Sequence, residues 1–198
     1  MYVLSTFPEA WCKSVIVPLF KKGDDQNPDN YRGISLLSIV SKVFTSILNK
    51  RLYRWAEKEE KLNPEQAGFR KGFSTMDHIF TLASIIWKQF NRKRGGKVYV
   101  AFIDYRKAFD TVDRDKVWQV LQKVQTSSKM IKMLKAVYHS VKSCVRWGSS
   151  MSNVFECPLG VKQGCLLSPL MFSFLISEVA EYVRQHGKHG IQMIPGLN

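Results

Sequence analysis

The chain has 198 residues, of which 45% are hydrophobic and 12% aromatic, so it can bury one ordinary apolar core and is not disordered throughout. Its 30 Lys and Arg against 16 Asp and Glu give a formal net charge of +14, which favours a polyanionic partner such as a nucleic acid over a merely basic surface. No apolar run is long enough to span a bilayer, and the first residues lack the basic and apolar regions of a secretory signal, so we expect an intracellular protein with no membrane partner.

The first half of the chain is predicted to hold one strand and two helices. Residues 13–20 are apolar and β-branched and predict a strand, and the turn-forming residues 21–30 that follow predict a basic hairpin. At residues 36–55 the apolar side chains recur at helical spacing, whereas residues 62–72 follow no period and predict an irregular link. A capping-box pattern begins the second predicted helix, at residues 74–90.

The second half of the chain begins with the most apolar segment. Residues 97–104 form a nearly continuous apolar run that stops at Asp104, and such a run predicts a central strand buried on both faces. Together with the first half, the later elements predict an α+β fold. These later elements are helices at 113–124, 128–139 and 168–179 and a hairpin that pairs 143–147 with 154–157.

Asp104 is the residue that carries the most chemical information. A carboxylate at the end of a buried apolar strand has a large desolvation cost unless it finds a partner. Asp104 either has a structural role, as a helix cap or as an ion pair with Arg106 or Lys107, or it binds a divalent ion. Mg²⁺ prefers oxygen ligands and is commonly held by one or two carboxylates together with substrate phosphates. The residue types alone leave both interpretations open.

The sequence around Asp104 resembles a known catalytic motif. Residues 102–110, Phe-Ile-Asp-Tyr-Arg-Lys-Ala-Phe-Asp, are similar to the first catalytic motif of the reverse transcriptases of non-LTR, LINE-type retrotransposons. Four other strings resemble further motifs of that family, in the family's order and at compatible spacing. One such string is a weak signal, whereas five in order are specific and extend over nearly the whole chain. The four strings lie at 6–11 through 20–24, at 30–37, at 66–72 with 74–75, and at 160–165 with 167–169.

The resemblance implies the fingers and a partial palm of a right-hand polymerase, with the thumb absent. Residues 1–95 would form a fingers-like region of basic hairpin and helices, and residues 96–198 a palm that is incomplete at its C-terminal end. The family's next motif carries two adjacent aspartates, usually after an aromatic residue and an alanine, and no Asp-Asp pair occurs beyond residue 25. We therefore expect the chain to be truncated before this Ala-Asp-Asp motif.

The resemblance also implies roles for single residues. Asp104 would be the catalytic residue and the metal ligand that bridges two Mg²⁺ ions during nucleotidyl transfer. Phe109 would pack under the sugar, where a flat ring collides with a 2′-hydroxyl and so selects deoxynucleotides. The alternative for Phe109 is a core aromatic with no ligand. Arg70 and Lys71 would contact the backbone of the template or the primer.

Five further residues would bind the incoming nucleotide. Lys21, Lys22 and Arg32 would bring cationic donors to the triphosphate, because a guanidinium grips two phosphate oxygens and a lysine acts as a point charge. The alternative for these cations is a solvated basic turn. Gln163 and Gly164 would lie beside the nucleotide and the templating base, where Gln supplies amide groups and Gly allows close approach.

These assignments predict a fragment of an RNA-directed DNA polymerase whose partners are an RNA template, a DNA primer and deoxynucleoside triphosphates. One aspartate compensates little of the charge of two metal ions, so Mg²⁺ would be weakly bound or absent and the isolated chain is expected to be inactive. A second hypothesis is a non-catalytic nucleic-acid-binding module retained from a retroelement, and a third is a poorly translated relic. By analogy with the family, the expected location is the nucleus.

Overall fold

The computed structural model describes residues 6–91 and 97–187, and its strands form one five-stranded mixed sheet. The path across the sheet is β2-β1-β3-β4, and β5 pairs with β3 off this path. The sheet and the helices together give mixed α/β content, as the sequence predicts. The strands are β1 Lys13–Phe20, β2 Tyr31–Leu37, β3 Lys142–Trp147, β4 Ser150–Met151 and β5 Phe155–Glu156.

The basic hairpin predicted at residues 13–32 is confirmed, and its second strand extends to Leu37. β1 and β2 pair antiparallel, with Ser14 opposite Leu37 and Phe20 opposite Tyr31. The turn between them is closed by backbone and side-chain hydrogen bonds, including Lys21 N to Asn30 O at 2.9 Å. The hairpin therefore presents residues 21–30 as an ordered projection beyond the sheet.

Residues far apart in sequence meet at the centre of the sheet. β1 pairs parallel with β3, from Lys13 opposite Lys142 to Ile16 opposite Val145. Two short strands, β4 and β5, pair antiparallel with β3, which confirms the predicted hairpin in outline. The pairing of β1 with β3 joins the N-terminal hairpin to the C-terminal half of the chain.

Five helices accompany the sheet in the described part of the chain. The capping box at Ser74 and Asp77 is present at the start of α2, and Asp113 caps α3 by accepting hydrogen bonds from two backbone N–H groups. Both helix starts were predicted from these local patterns. The helices are α1 Ile39–Lys58, α2 Thr75–Phe90, α3 Arg114–Lys123, α4 Ser128–Tyr138 and α5 Ser168–His186.

The buried core is formed mainly by helices α1, α3, α4 and α5. Leu48 of α1, Leu121 of α3, Leu134 of α4 and Phe174 of α5 are fully buried and belong to one continuous apolar cluster. Leu167, which precedes α5, is also 0% exposed in this cluster. The start of α5 is therefore fixed by packing, and so is the end of the loop that leads to it.

Apolar side chains on two of the predicted helices are exposed. On α1, Val40, Val43 and Ile47 face solvent, although their helical spacing was correctly predicted. None of the residues of α2 is buried, and Phe80 keeps 74% of its surface exposed. Helical spacing predicts an apolar face but does not identify what covers it.

The central strand predicted at residues 97–104 is wrong. The structure assigns no strand or helix there, and Tyr99, Phe102 and Ile103 are largely exposed. A central strand needs hydrogen-bonding neighbours on both edges, and no described strand pairs with this segment. Asp104 therefore does not end a buried strand; its side chain is exposed.

A helix that crosses a membrane must be both long and apolar. Within residues 6–91 and 97–187, no helix combines the length and the apolar character that crossing a membrane requires.

Candidate functional site

One cleft of about 730 Å³ brings together most of the predicted nucleotide and metal residues. Its walls are the end of the basic hairpin, the segment of residues 104–110 and the loop before α5. Lys22, Arg70 and Lys71 are outside its lining in the described chain. The predicted residues that line it are Lys21, Arg32, Asp104, Phe109, Gln163 and Gly164.

The loop that carries Gln163 and Gly164 is held against β2. The backbone N–H of Ser35 donates to Gln163 O at 2.7 Å. Gly164 has φ +115°, and a Cβ at this position would lie 2.7 Å from Ser35 O. Any other residue would therefore collide with the strand in addition to adopting a strained backbone. The predicted close approach at Gly164 is thus an approach to the protein's own backbone.

Asp110 fixes the side chain of Gln163. The Gln163 Nε2 donates to Asp110 Oδ1 at 3.0 Å and to Oδ2 at 3.2 Å. A carboxylate only accepts, so this contact assigns the amide nitrogen to the Asp110 side and leaves the amide oxygen as an acceptor for another donor. Asp110 also closes a turn, since its backbone N–H donates to Lys107 O at 2.9 Å. Its side-chain contact was missed because Gln163 is distant in sequence.

Phe109 is part of an aromatic cluster on one side of the cleft. Its ring stacks on Phe172 of α5, with centroids 5.2 Å apart and planes at 24°. Phe69 meets Phe109 edge to face at 6.1 Å, and Tyr105 meets Phe172 in the same way at 6.5 Å. Contacts of this kind hold a ring in one orientation. Phe109 is therefore a half-buried ring, supported from behind, that still lines the cleft.

The cations of the cleft differ in their partners. Lys21 and Arg32 are exposed, and they line the cleft together with Lys107. Lys107 donates to Asp29 Oδ1 at 2.6 Å, and Arg106 lies 3.9 Å from Asp29 Oδ2. The hydrogen bond and the charge of Lys107 hold the pKa of the Asp29 carboxyl below its ordinary value. Sequence reasoning singled out Lys107 only as a possible partner of Asp104 and did not consider Asp29.

Two half-buried cations hold the loop through its backbone and through Cys12. Arg114 donates to the carbonyl oxygens of Gly160 at 2.7 Å and of Cys157 at 2.8 Å, and burial lowers the pKa of its guanidinium. Lys162 donates from Nζ to Cys12 O at 3.0 Å, and burial lowers the pKa of its amine as well. Both were missed, because a single Lys or Arg in a basic sequence gives no sign that it is buried.

Arg70 is engaged within the protein. Its Nε and Nη2 donate to the two carboxylate oxygens of Glu57, at 3.0 and 2.7 Å, and its Nη1 donates to Asn63 O at 3.0 Å. The hydrogen bond from Arg70 lowers the pKa of Glu57. These contacts hold the turn that carries Phe69. Nucleic-acid contacts by Arg70 and by Lys71, whose side chain is exposed, stay predictions.

Asp104 lines the same cleft as Arg32 and Gln163 but is exposed. Among the described residues, no group of three or more His, Cys, Asp or Glu side chains is arranged to hold a metal ion. A single carboxylate does not make a resident Mg²⁺ site, so these residues alone do not fit the metal that the family resemblance implies. A metal role for Asp104 requires further oxygen ligands.

The chain is similar in sequence to proteins of transposable elements. The chain is 30% identical over 174 residues to a probable RNA-directed DNA polymerase from transposon BS of Drosophila melanogaster. The aligned region covers 87% of this chain and 19% of that protein. It is 28% identical over 174 residues to a probable RNA-directed DNA polymerase from transposon X-element of the same species, covering 85% of this chain and 18% of that protein.

A third relative is a retrovirus-related Pol polyprotein from the type-1 retrotransposable element R2 of Popillia japonica, 30% identical over 176 residues, with 87% of this chain and 24% of that protein covered. The chain thus spans less than a quarter of the length of each of these relatives. Residues 20–194 match the family model "Reverse transcriptase (RNA-dependent DNA polymerase)". The chain therefore belongs to the reverse transcriptase family and is homologous to the RNA-directed DNA polymerases of non-LTR retrotransposons.

Proposed function

We propose that this chain supplies the deoxynucleotide-binding part of an RNA-directed DNA polymerase. The observation that carries the proposal is the convergence of six motif residues, separated by up to 143 positions between Lys21 and Gly164, on one cleft. In this assignment residues 1–95 are the fingers-like region and residues 96–198 belong to the palm.

The cations of the hairpin would bind the triphosphate. Arg32 is exposed in the cleft and carries a planar fork of N–H donors suited to two phosphate oxygens, and Lys21 lies on the same wall as a point charge. Lys22 belongs to the same turn and would contribute through the field of the basic hairpin rather than from the lining.

The rest of the cleft would hold the sugar and the base. Phe109 offers a ring fixed by Phe172, which suits a surface that excludes a 2′-hydroxyl. Gln163 offers an amide oxygen oriented by Asp110, and this oxygen can accept a hydrogen bond from a hydroxyl or an amino group of the nucleotide.

Asp104 is proposed as the catalytic carboxylate and metal ligand. Mg²⁺, bound together with substrate phosphates and with ligands from outside the described residues, would supply the stabilisation of phosphoryl charge that this chemistry requires. Because one carboxylate is too few, we expect the isolated chain to bind nucleotide but not to extend a primer. The proposed partners are an RNA template and a DNA primer, contacted in part by Arg70 and Lys71, in a nuclear setting.

The proposal is tested by titrating dTTP into the purified chain and into Arg32→Ala, with Arg54→Ala as the control. Arg54 is an exposed residue of α1 outside the cleft, so both variants lose the same charge. Loss of charge-assisted hydrogen bonds should weaken binding by about tenfold in Arg32→Ala and by less than about twofold in Arg54→Ala. Equal effects, or no dTTP binding by the unaltered chain, would refute the proposed nucleotide site.

Primer extension on poly(rA)/oligo(dT) tests the expected inactivity separately. No extension product is expected from the chain alone. Appreciable extension would show that the described carboxylates suffice for catalysis, and the dTTP-binding proposal would survive that result.

A nucleic-acid-binding module without polymerase function is the second candidate, and it is favoured by the net charge of +14 together with the lack of a three-ligand metal cluster in the described residues. It predicts a salt-dependent affinity for RNA that Asp104→Ala leaves unchanged and that dTTP does not affect. Binding of dTTP with dependence on Arg32 would favour the polymerase assignment instead.

A further inference from the structure

We propose that Arg106 and Lys107 extend the phosphate-binding part of the cleft, and that the Asp29 carboxylate occupies these two cations until an incoming triphosphate displaces it. This inference rests on the proposed nucleotide site and adds residues to it that the motif analysis did not assign to phosphate. It also assigns Asp29 a role that opposes binding.

The contact joins the two walls of the cleft. Asp29 lies in the short 3₁₀ helix Pro28–Asn30 of the hairpin turn, whereas Lys107 lies 78 positions further along the chain. All three side chains, Asp29, Arg106 and Lys107, line the cleft that holds Lys21 and Arg32. A carboxylate that pairs with two cations satisfies the donors that phosphate oxygens would otherwise satisfy.

The turn does not need the Asp29 carboxylate for its own structure. Asn27 Oδ1 accepts from the backbone N–H of Asp29 at 3.0 Å, and Asn30 Nδ2 donates to Asp24 O at 2.8 Å. Tyr31 OH donates to Asp25 O at 2.9 Å. The carboxylate of Asp29 is thus left for the contact across the cleft, which is its only side-chain role among the described residues.

The pair is accessible enough to be exchanged. The side chains of Asp29 and Lys107 are 55% and 47% exposed, and that of Arg106 is 87% exposed. Exposed ion pairs contribute little net stability, because both groups are well solvated when apart. A triphosphate carries more anionic oxygens than one carboxylate and interacts with Lys21 and Arg32 at the same time, so it can replace Asp29.

The consequence is that removal of a side chain should strengthen binding. The experiment measures the dissociation constants of dTTP and of inorganic tripolyphosphate, in EDTA to keep metal ions out, for the unaltered chain, Asp29→Asn and Asp25→Asn. Asp25 is the matched control: it lies in the same turn and is exposed, and among the described residues its carboxylate accepts only from Gln26 Nε2, a contact that Asn can keep.

We expect Asp29→Asn to bind both probes about threefold to fivefold more tightly, and Asp25→Asn to change binding by less than about twofold. Because the phosphate groups carry the effect, tripolyphosphate should respond as dTTP does. Lys107→Met should weaken binding, and adding Asp29→Asn to Lys107→Met should restore less affinity than it adds to the unaltered chain. Thermal unfolding of each variant shows that it is folded.

The possible failures are distinguishable. If the unaltered chain binds dTTP but Asp29→Asn equals Asp25→Asn, or if its gain is undiminished by Lys107→Met, the displacement by Asp29 is refuted and the nucleotide site stands. If neither the unaltered chain nor Asp29→Asn binds either probe, the proposed nucleotide site fails and this inference fails with it.

Discussion

The loop of residues 160–165 and the segment of residues 97–107 both contribute to the cleft, but they are held in different ways. The loop has backbone hydrogen bonds to Ser35, Phe109 and Val112 and is followed by the fully buried Leu167. The segment has no strand partner among the described residues, and its apolar side chains are largely exposed.

The difference separates two tasks that one cleft combines. The side that would contact the nucleotide's sugar and base is fixed before any ligand binds, because packing and hydrogen bonds determine the positions of Gln163 and Phe109. The side that carries Asp104 is held by side-chain contacts, of Lys107 with Asp29 and of Tyr105 with Phe172. Under the proposed assignment, the surface for the sugar and base and the position of Asp104 are thus held separately.

The largest expected effect comes from removing packing under the fixed side. Leu167→Ala should lower the free energy of unfolding by about 3 kcal/mol, because it leaves a cavity in the helical core. Phe102→Ala, in the other segment, removes a ring that is 84% exposed, and its effect should be within about 0.5 kcal/mol. Urea unfolding measures both values. Equal destabilisation by the two variants would show that the segment is packed as firmly as the loop.

The next largest effect concerns the close approach of the loop of residues 160–165 to the backbone of Asp110. Gly160 has φ +80°, and a Cβ there would lie 2.7 Å from Asp110 O. Gly72 has a similar φ, +86°, but a Cβ would meet nothing within 4 Å. Gly72→Ala should therefore cost only the backbone strain, about 1 kcal/mol, and Gly160→Ala about 2 kcal/mol more.

Urea unfolding of the two glycine variants separates strain from collision. If Gly160→Ala costs no more than Gly72→Ala, the loop is not tightly packed against Asp110, and the fixed character of this side is wrong.

A smaller effect is expected at the ion pair that supports Phe69. Glu57→Gln should destabilise the chain by about 1–2 kcal/mol at pH 7, because it weakens the hydrogen bonds of Arg70. The exposed Glu59, paired with Lys58 at 3.6 Å, is the control, and Glu59→Gln should change stability by less than about 0.5 kcal/mol.

The pH dependence of this pair has a definite sign. Since Arg70 lowers the pKa of Glu57 in the folded chain, the stabilisation is complete above the ordinary Glu pKa of about 4.3 and is lost as the pH falls through the folded value. The difference in stability between the unaltered chain and Glu57→Gln should therefore shrink below about pH 4.3. A difference that stays constant down to pH 3 would contradict the role of this pair.

The features that sequence predicted correctly are local. The caps at Ser74 and Asp113 and the hairpin of β1 and β2 depend on neighbouring residues, so their patterns are visible in the sequence. The strand at residues 97–104 was predicted wrongly because a strand depends on partners elsewhere in the chain. An apolar run indicates that burial of its side chains is favourable, but it does not indicate that a neighbouring strand is present to pair with it.

The site shows the same distinction. Motif resemblance selected Arg32, Phe109 and Gln163, and the structure places them on one cleft. It could not select the contacts of Gln163 with Asp110 or of Lys107 with Asp29, because their partners are 53 and 78 positions apart. Tertiary packing alone creates such pairs.

Amide hydrogen exchange of the unliganded chain shows whether the loop of residues 160–165 is held more firmly than the segment of residues 97–107, since it reports how each side of the cleft is held. The hydrogen bonds of Ser35 N, Gly160 N and Val161 N predict slow exchange on the fixed side. No backbone N–H of residues 97–106 donates to another described residue, so that segment should exchange without protection. If the two sides are equally protected, or if residues 160–161 exchange faster than residues 97–106, the loop is not the more firmly held side of the cleft.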